Sequence, residues 1–205
     1  MLYGQSGFLE ENCDDEYFLL LKKEYQFLKI KFSLTPFDKS NWKFLRLRPS
    51  NFPTIRISQI AYLLKNNPRI FSKIIELTDV AQIKKLFIGK ASEYWEGHYQ
   101  FGSKSVSKKT KNIGMNTINN LIINVVVPFL FVYGKDKGDQ GIMDRAIEIL
   151  EKLNSEKNSI IKNWEKLGVK SGNALSSQSL LELKNSYCSE KKCLNCNIGN
   201  KILQS

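Results

Sequence analysis

The chain has 205 residues, enough for one well-buried core or two small ones, and its 42% hydrophobic and 25% charged content is ordinary for a globular protein. Lysine and arginine outnumber aspartate and glutamate by 31 to 20, a net charge of +11 that favours an acidic partner such as nucleic acid or an anionic surface. The N-terminus lacks the charged start, apolar stretch and small-residue cleavage site of a secretory signal, and the longest apolar run, residues 121–133, is broken by Asn124 and Pro128 and is shorter than the ~17–25 residues that span a bilayer.

A cytoplasmic protein without membrane contact is therefore expected, with 121–133 as a buried core segment. Four cysteines, three of them clustered near the C-terminus, fit a reduced protein with a metal site better than a disulfide framework.

Residues 1–13 read as a weakly patterned lead-in, whose abrupt start suggests a chain entered partway through a larger fold. From Asp14 the pattern sharpens into a helix, with Phe18, Leu21, Tyr25, Leu28 and Phe32 at helical spacing and lysines on the other faces. Asp14, Asp15 and Glu16 fall in its first turn, where the helix dipole favours anions.

Residues 45–57 (LRLRPSNFPTIRI) hold three arginines and two prolines. Pro49 and Pro53 fix their own φ and push Arg48 and Phe52 towards extended geometry, so a helix cannot run through. The stretch predicts a rigid elbow that ends one helix near Arg46 and starts another near Thr54, with Thr54 as N-cap. Arg46, Arg48 and Arg56 on such a stiff backbone suit bidentate binding of carboxylate or phosphate. The alternative is that they pair with acidic side chains of the same fold.

Residues 54–65 predict a helix with Ile57, Ile60, Ala61 and Leu64 inward, and short helices follow over 68–76 and 78–87, the second capped by Thr78. Residues 91–101 are dense in aromatics and contain His98, the only histidine. A lone histidine beside Trp95 and Tyr99 reads as a hydrogen-bonded packing residue or as a ligand, and Glu93 and Glu96 beside it read as solvated or as metal partners. Residues 102–114 form the clearest loop, with Lys104, Lys108, Lys109 and Lys111 among serines. It reads as a solvated mobile segment or as a polybasic contact to phosphate, whose binding would fall with added salt.

Residues 116–133 predict a central helix surrounded by other elements and kinked at Pro128. Helices follow with stripes at Ile142, Met143, Ala146, Ile147, Leu150 and Leu153, over 155–167, and over 174–187. No strand and no repeat is found. The fold class expected is all-α: one irregular multi-helix domain over 1–205 with a Cys-rich knuckle at 188–199.

Cys188, Cys193 and Cys196 have the spacing Cys-x4-Cys-x2-Cys, a way to place three soft ligands around one ion. Zinc would need a fourth ligand. His98 or Cys13 would complete the set, and His98 is preferred because imidazole suits zinc. An iron–sulfur cluster is the alternative cofactor, and three reduced, packed cysteines are the alternative without metal. No phosphate-binding loop or nucleophile elbow is present, and the chain alone is not expected to be an enzyme.

The stretches 45–59 (LRLRPSNFPTIRISQ), 94–102 (YWEGHYQFG), 121–134 (LIINVVVPFLFVYG), 157–168 (KNSIIKNWEKLG) and 177–199 (SQSLLELKNSYCSEKKCLNCNIG) resemble the C-terminal half of a bacterial family known only as a domain of unknown function. The resemblance implies that longer members carry an N-terminal half similar to restriction-type nucleases, which would make this chain a truncated member or a C-terminal fragment. Ser176 stands where the pattern has aspartate, which is expected to loosen the cap of the last long helix. The cysteines and the Tyr-Trp-x2-His-Tyr segment both belong to the pattern, which adds weight to His98 as a ligand. Two functions remain: a nucleic-acid-binding module that supports a nuclease-like half, or a protein-interaction module with an exposed apolar face on its first helix, where a missing N-terminal half or a partner protein would dock.

Overall fold

The computed structural model describes residues 1–203, and these are mostly helical, with 63% helix against 3% strand. The chain divides into two units, Met1–Ile70 with Lys85–Gly114, and Phe71–Lys84 with the residues from Met115 onward.

In the first unit the unpatterned lead-in is the centre of the core. Helix α1 (Leu2–Gln5) and the turn after it bury Tyr3, Phe8 and Leu9 against Phe18, Tyr25, Ile55, Ile57 and Trp95. A side chain at Gly4 would enter the Tyr25 ring, its Cβ 2.1 Å from the ring carbons, so glycine is what lets α1 lie on α2. Helix α2 (Glu16–Lys31) starts at Asp15, whose side chain accepts from the Phe18 N–H at 3.0 Å. Its buried stripe is narrower than the spacing predicts. Phe18 and Tyr25 are buried and Leu21 and Leu28 half-buried, while Phe32 is 53% exposed.

No helix ends near Arg46; only the short 3₁₀ turns Lys39–Asn41 and Pro49–Asn51 precede α3 (Pro53–Asn66). Thr54 is not the cap. Its hydroxyl donates to the Tyr99 carbonyl at 2.6 Å, and Phe52 occupies the cap position. The inward face of α3 is also rotated from the expected one: Ile55, Ile57, Ser58, Gln59 and Leu63 are buried, and Ile60, Ala61 and Leu64 are exposed. The cause is two buried polar residues with partners. Ser58 Oγ accepts from the Ser92 N–H at 2.9 Å and Gln59 Nε2 donates to the Lys111 carbonyl at 3.0 Å, so neither is left unsatisfied.

Helices α4 (Ile70–Glu76) and α5 (Val80–Leu86) follow as expected, with Asp79 rather than Thr78 accepting at the head of α5, from the Ala81 N–H at 3.0 Å. A two-stranded antiparallel ribbon of β1 (His98–Gln100) and β2 (Ser103–Lys104) stands where no strand is predicted.

In the second unit, α6 (Met115–Leu121), a π-helical turn (Ile122–Val126) and α7 (Val127–Lys137) form one continuous helix of 23 residues. Pro128 has no N–H to give, and the helix widens just before it, the Val127 N–H reaching back to Ile122. By length and composition this helix could cross a membrane. It is not enclosed on all sides as expected: Ile118, Ile122, Ile123, Val126 and Leu130 are buried, but Val125, Phe131 and Val132 are exposed.

Helix α8 (Gln140–Lys152), capped by Asp139, packs on α7 and buries Ala146, Ile149 and Leu150. Helix α9 (Ser159–Lys166) is capped by Asn158 and α10 (Ala174–Glu182) by Asn173. Ser176 does not loosen that cap, because its hydroxyl and N–H both donate to Asn173 Oδ1, at 2.8 and 2.9 Å. A π-helical turn (Leu183–Cys188), a 3₁₀ turn (Cys193–Asn195) and α11 (Asn197–Leu203) follow.

Candidate functional site

The elbow is a projecting tip held at both feet by aromatic rings. Phe44 and Phe52 meet edge to face at 5.0 Å, and Phe44 also packs edge-on against Phe8 at 5.8 Å. Between them the turn over residues 44–47 closes through the Leu47 N–H to Phe44 O at 3.3 Å. Arg46 occupies its third position with φ +65°, a left-handed conformation that favours glycine. Leu45, Arg46, Leu47 and Arg48 are all exposed, Leu45 by 83%. Arg46 and Arg48 form no ion pair among the described residues, so the pairing alternative does not hold for them.

Arg56 has a different part. Its Nη1 donates to Gln59 Oε1 at 2.8 Å and its Nη2 to Asn51 Oδ1 at 2.7 Å. It is half-buried, and burial lowers its pKa. Since Gln59 goes on to bond Lys111, the chain Asn51, Arg56, Gln59, Lys111 ties the tip to the basic loop.

That loop is strapped down. Ser105 N–H donates to Gly97 O at 2.7 Å, Lys109 N–H to Glu96 O at 3.0 Å and Thr110 Oγ1 to Glu96 Oε1 at 3.0 Å. Lys104, Lys108 and Lys109 remain exposed. Lys111 does not belong with them. It is buried, its ammonium donates to the carbonyls of Trp95 and Glu96 and lies 4.0 Å from the centre of the Tyr99 ring, so its charge is used inside the fold. Burial lowers its pKa, and the Glu96 charge acts the other way.

His98 lies in the first unit at the head of β1. Its ring stacks on Tyr94 at 4.1 Å with parallel planes, and Nδ1 is 2.8 Å from Tyr94 O. Tyr94 in turn stacks on Tyr17 at 4.3 Å and accepts from the Gly102 N–H, and burial pushes its phenol pKa up. These are the contacts of a packing residue.

Cys188, Cys193 and Cys196 lie in the second unit, all with free thiols and all lining one small cavity. Among the described residues no three His, Cys, Asp or Glu side chains are gathered to hold a metal ion. The sequence reading missed the tip's aromatic feet; Phe44 and Phe52, eight residues apart around a proline, were the available signal.

These features define a basic, mostly helical protein that displays arginine and lysine on a braced surface and carries three of its four cysteines near its C-terminal end. The chain belongs to the family described as Protein of unknown function (DUF2851), whose model matches residues 1–159. Neither a curated protein nor a solved structure matches it.

Proposed function

We propose that the chain is a nucleic-acid-binding module, acting beside a nuclease-like half of the kind the resemblance implies. The observation that carries this reading is the braced tip. Arg46 is kept in a conformation that costs an L-residue about 1–2 kcal/mol, and neither it nor Arg48 has an acidic partner among the described residues. Such cost at an exposed residue with no ion pair among the described residues fits a surface built for an external anion. The first unit holds 17 of the 31 lysines and arginines against 9 of the 20 acids, so +8 of the +11 falls there. Arg46 and Arg48, with Lys104, Lys108 and Lys109, meet phosphates, and the exposed Leu45 beside them suits contact with sugars or an unstacked base step.

The test is binding of DNA and RNA duplexes and single strands to the full chain across a salt series. Affinity that falls steeply as salt rises supports the reading; no binding at low salt, or a flat response, rules it out.

A second reading is a protein-interaction module. It is favoured by the outward face of α2, where Leu20, Phe27 and Ile30 are exposed beside Lys23 and Lys31, the latter 5.9 Å from the Phe27 ring. Association that grows with concentration and is lost on substituting that face supports it, whereas a monodisperse monomer at high concentration counts against it.

A further inference from the structure

Cys188 ends the π-helical turn Leu183–Cys188, Cys193 opens the turn Cys193–Asn195, and Cys196 follows it. All three line a cavity of about 140 Å³, and Trp164, Leu183 and Ile198 supply much of the rest of its wall. Consecutive tight turns hold the cysteines in place: Lys191 N–H bonds to Cys188 O at 3.2 Å, Cys196 N–H to Cys193 O at 3.2 Å and Asn200 N–H to Cys196 O at 2.8 Å. A Cβ on Gly199 would stand 2.5 Å from Cys193 O, so only glycine lets α11 fold against the thiol-bearing turn. On the far wall, Trp164 Nε1 donates to Leu180 O at 3.2 Å.

A single thiolate-bound zinc, at about 2.3 Å from each sulfur, draws its ligands to within about 3.8 Å of one another and leaves no room between them. The described residues contain no such gathering. Here the three cysteines line one cavity instead. An apolar cavity of about 150 Å³ accommodates a molecule of benzene's bulk, and a cube of four irons and four sulfides is of comparable size. Thiolates are the ligands such clusters take. Lys192 also lines the cavity, and Lys191 adjoins it in sequence, so positive charge is at hand for a negatively charged cluster.

We propose that Cys188, Cys193 and Cys196 bind a [4Fe–4S] cluster, with the fourth iron left to a ligand from outside the trio. His98 is not a ligand in this arrangement, and the inference is independent of the nucleic-acid reading. Loading from a synthetic [4Fe–4S] cluster that carries four alkylthiolates is redox-neutral. Three cysteine thiols replace three alkylthiolates, each cysteine proton leaves on the departing thiol, and one alkylthiolate remains on the fourth iron.

The experiment incubates the full chain with that synthetic cluster under anaerobic conditions, removes excess by gel filtration, and measures iron, acid-labile sulfide and thiols open to alkylation. The expected result is one cluster per chain, with Cys188, Cys193 and Cys196 protected from alkylation and Cys13 unchanged. Substitution of each of the three by serine is expected to reduce retained iron at least about tenfold, while Cys13→Ser retains it. Circular dichroism on each variant separates loss of ligand from loss of fold, and the protection pattern of the unmodified chain does not depend on any variant. A chain that emerges free of iron, a cluster that survives all three substitutions, or protein that carries one tightly held zinc on these thiols overturns the proposal.

Discussion

Tyr3 shows how a single side chain ties the first unit together. Its hydroxyl donates to the Thr54 carbonyl at 2.6 Å, joining α1 to the start of α3 in the core, and its ring packs on Trp95 and Phe101. Burial pushes its pKa far above the ordinary value near 10, with the Tyr17 charge adding to the shift. The unfolded chain therefore loses this proton at lower pH than the folded one. The stability it contributes is whole below pH ~10 and is lost as pH rises beyond that. Tyr94 is shifted the same way, whereas Lys111, lowered by burial, contributes with the opposite sign just below its ordinary pKa. Tyr3→Phe is expected to cost about 1–2 kcal/mol at neutral pH, because the buried hydrogen bond to the Thr54 carbonyl is lost, and to flatten the loss of stability above pH ~10. Urea midpoints measured for both proteins across that range check this. Lys111→Ala is expected to cost about 1–3 kcal/mol by removing the buried hydrogen bonds to the Trp95 and Glu96 carbonyls, with little direct effect on nucleic-acid binding; a selective loss of binding at unchanged stability would show its charge to be external after all. In the sequence Lys111 reads like the three lysines before it, since nothing in its neighbours marks the inward turn that Gln59 and Ala91 impose through bonds to its carbonyl.

At the scale of elements, what was legible followed from periodicity and capping. Helix α8 appears where Ala146 and Leu150 predict it, and α4 and α5 fall near their expected ends. What was not legible depended on contacts distant in sequence. Residues 2–9 carry no period, because their apolar side chains enter the core from a four-residue helix and a turn rather than along one face. The arginine elbow was visible from its prolines, but its brace comes from Phe44 and Phe52 meeting across the loop. The candidate site was readable to the same extent: Arg46, Arg48 and the exposed lysines stand at the surface, while Arg56 and Lys111 are drawn inward by partners that composition does not reveal. Arg46→Gly separates function from fold at this tip. Relief of the left-handed backbone and the added freedom of the unfolded chain nearly offset one another, so stability is expected to stay level or rise by up to about 1 kcal/mol. Affinity for nucleic acid should nevertheless fall, and losing one phosphate contact lowers the salt slope by about 1. Arg56→Ala is expected to do the reverse, lowering thermal stability first, since it unties Asn51 from Gln59. If Arg46→Gly binds as tightly as the parent chain, the tip does not meet phosphate.

At the scale of the whole molecule, salt distinguishes the two functional readings because it acts on them with opposite sign. The net charge of +11 both attracts polyanions and keeps copies of the chain apart. Raising ionic strength from about 0.1 to about 1 M shortens the screening length from about 10 to about 3 Å. Phosphate contacts weaken under that change through lost counterion release. Burial of the α2 face does not, and with mutual repulsion screened it is favoured. A nucleic-acid module is thus expected to lose its ligand and stay dispersed as salt rises, whereas an interaction module is expected to gain in association. Phe27 and Ile30 are exposed and outside the core of the first unit. The double variant Phe27→Ser, Ile30→Ser should therefore alter stability by no more than about 0.5 kcal/mol per site. Sedimentation of parent and variant across the salt series then decides between them. Association of the parent that strengthens with salt and disappears in the variant assigns the α2 face to a protein contact, and identical monomeric behaviour throughout counts against that face.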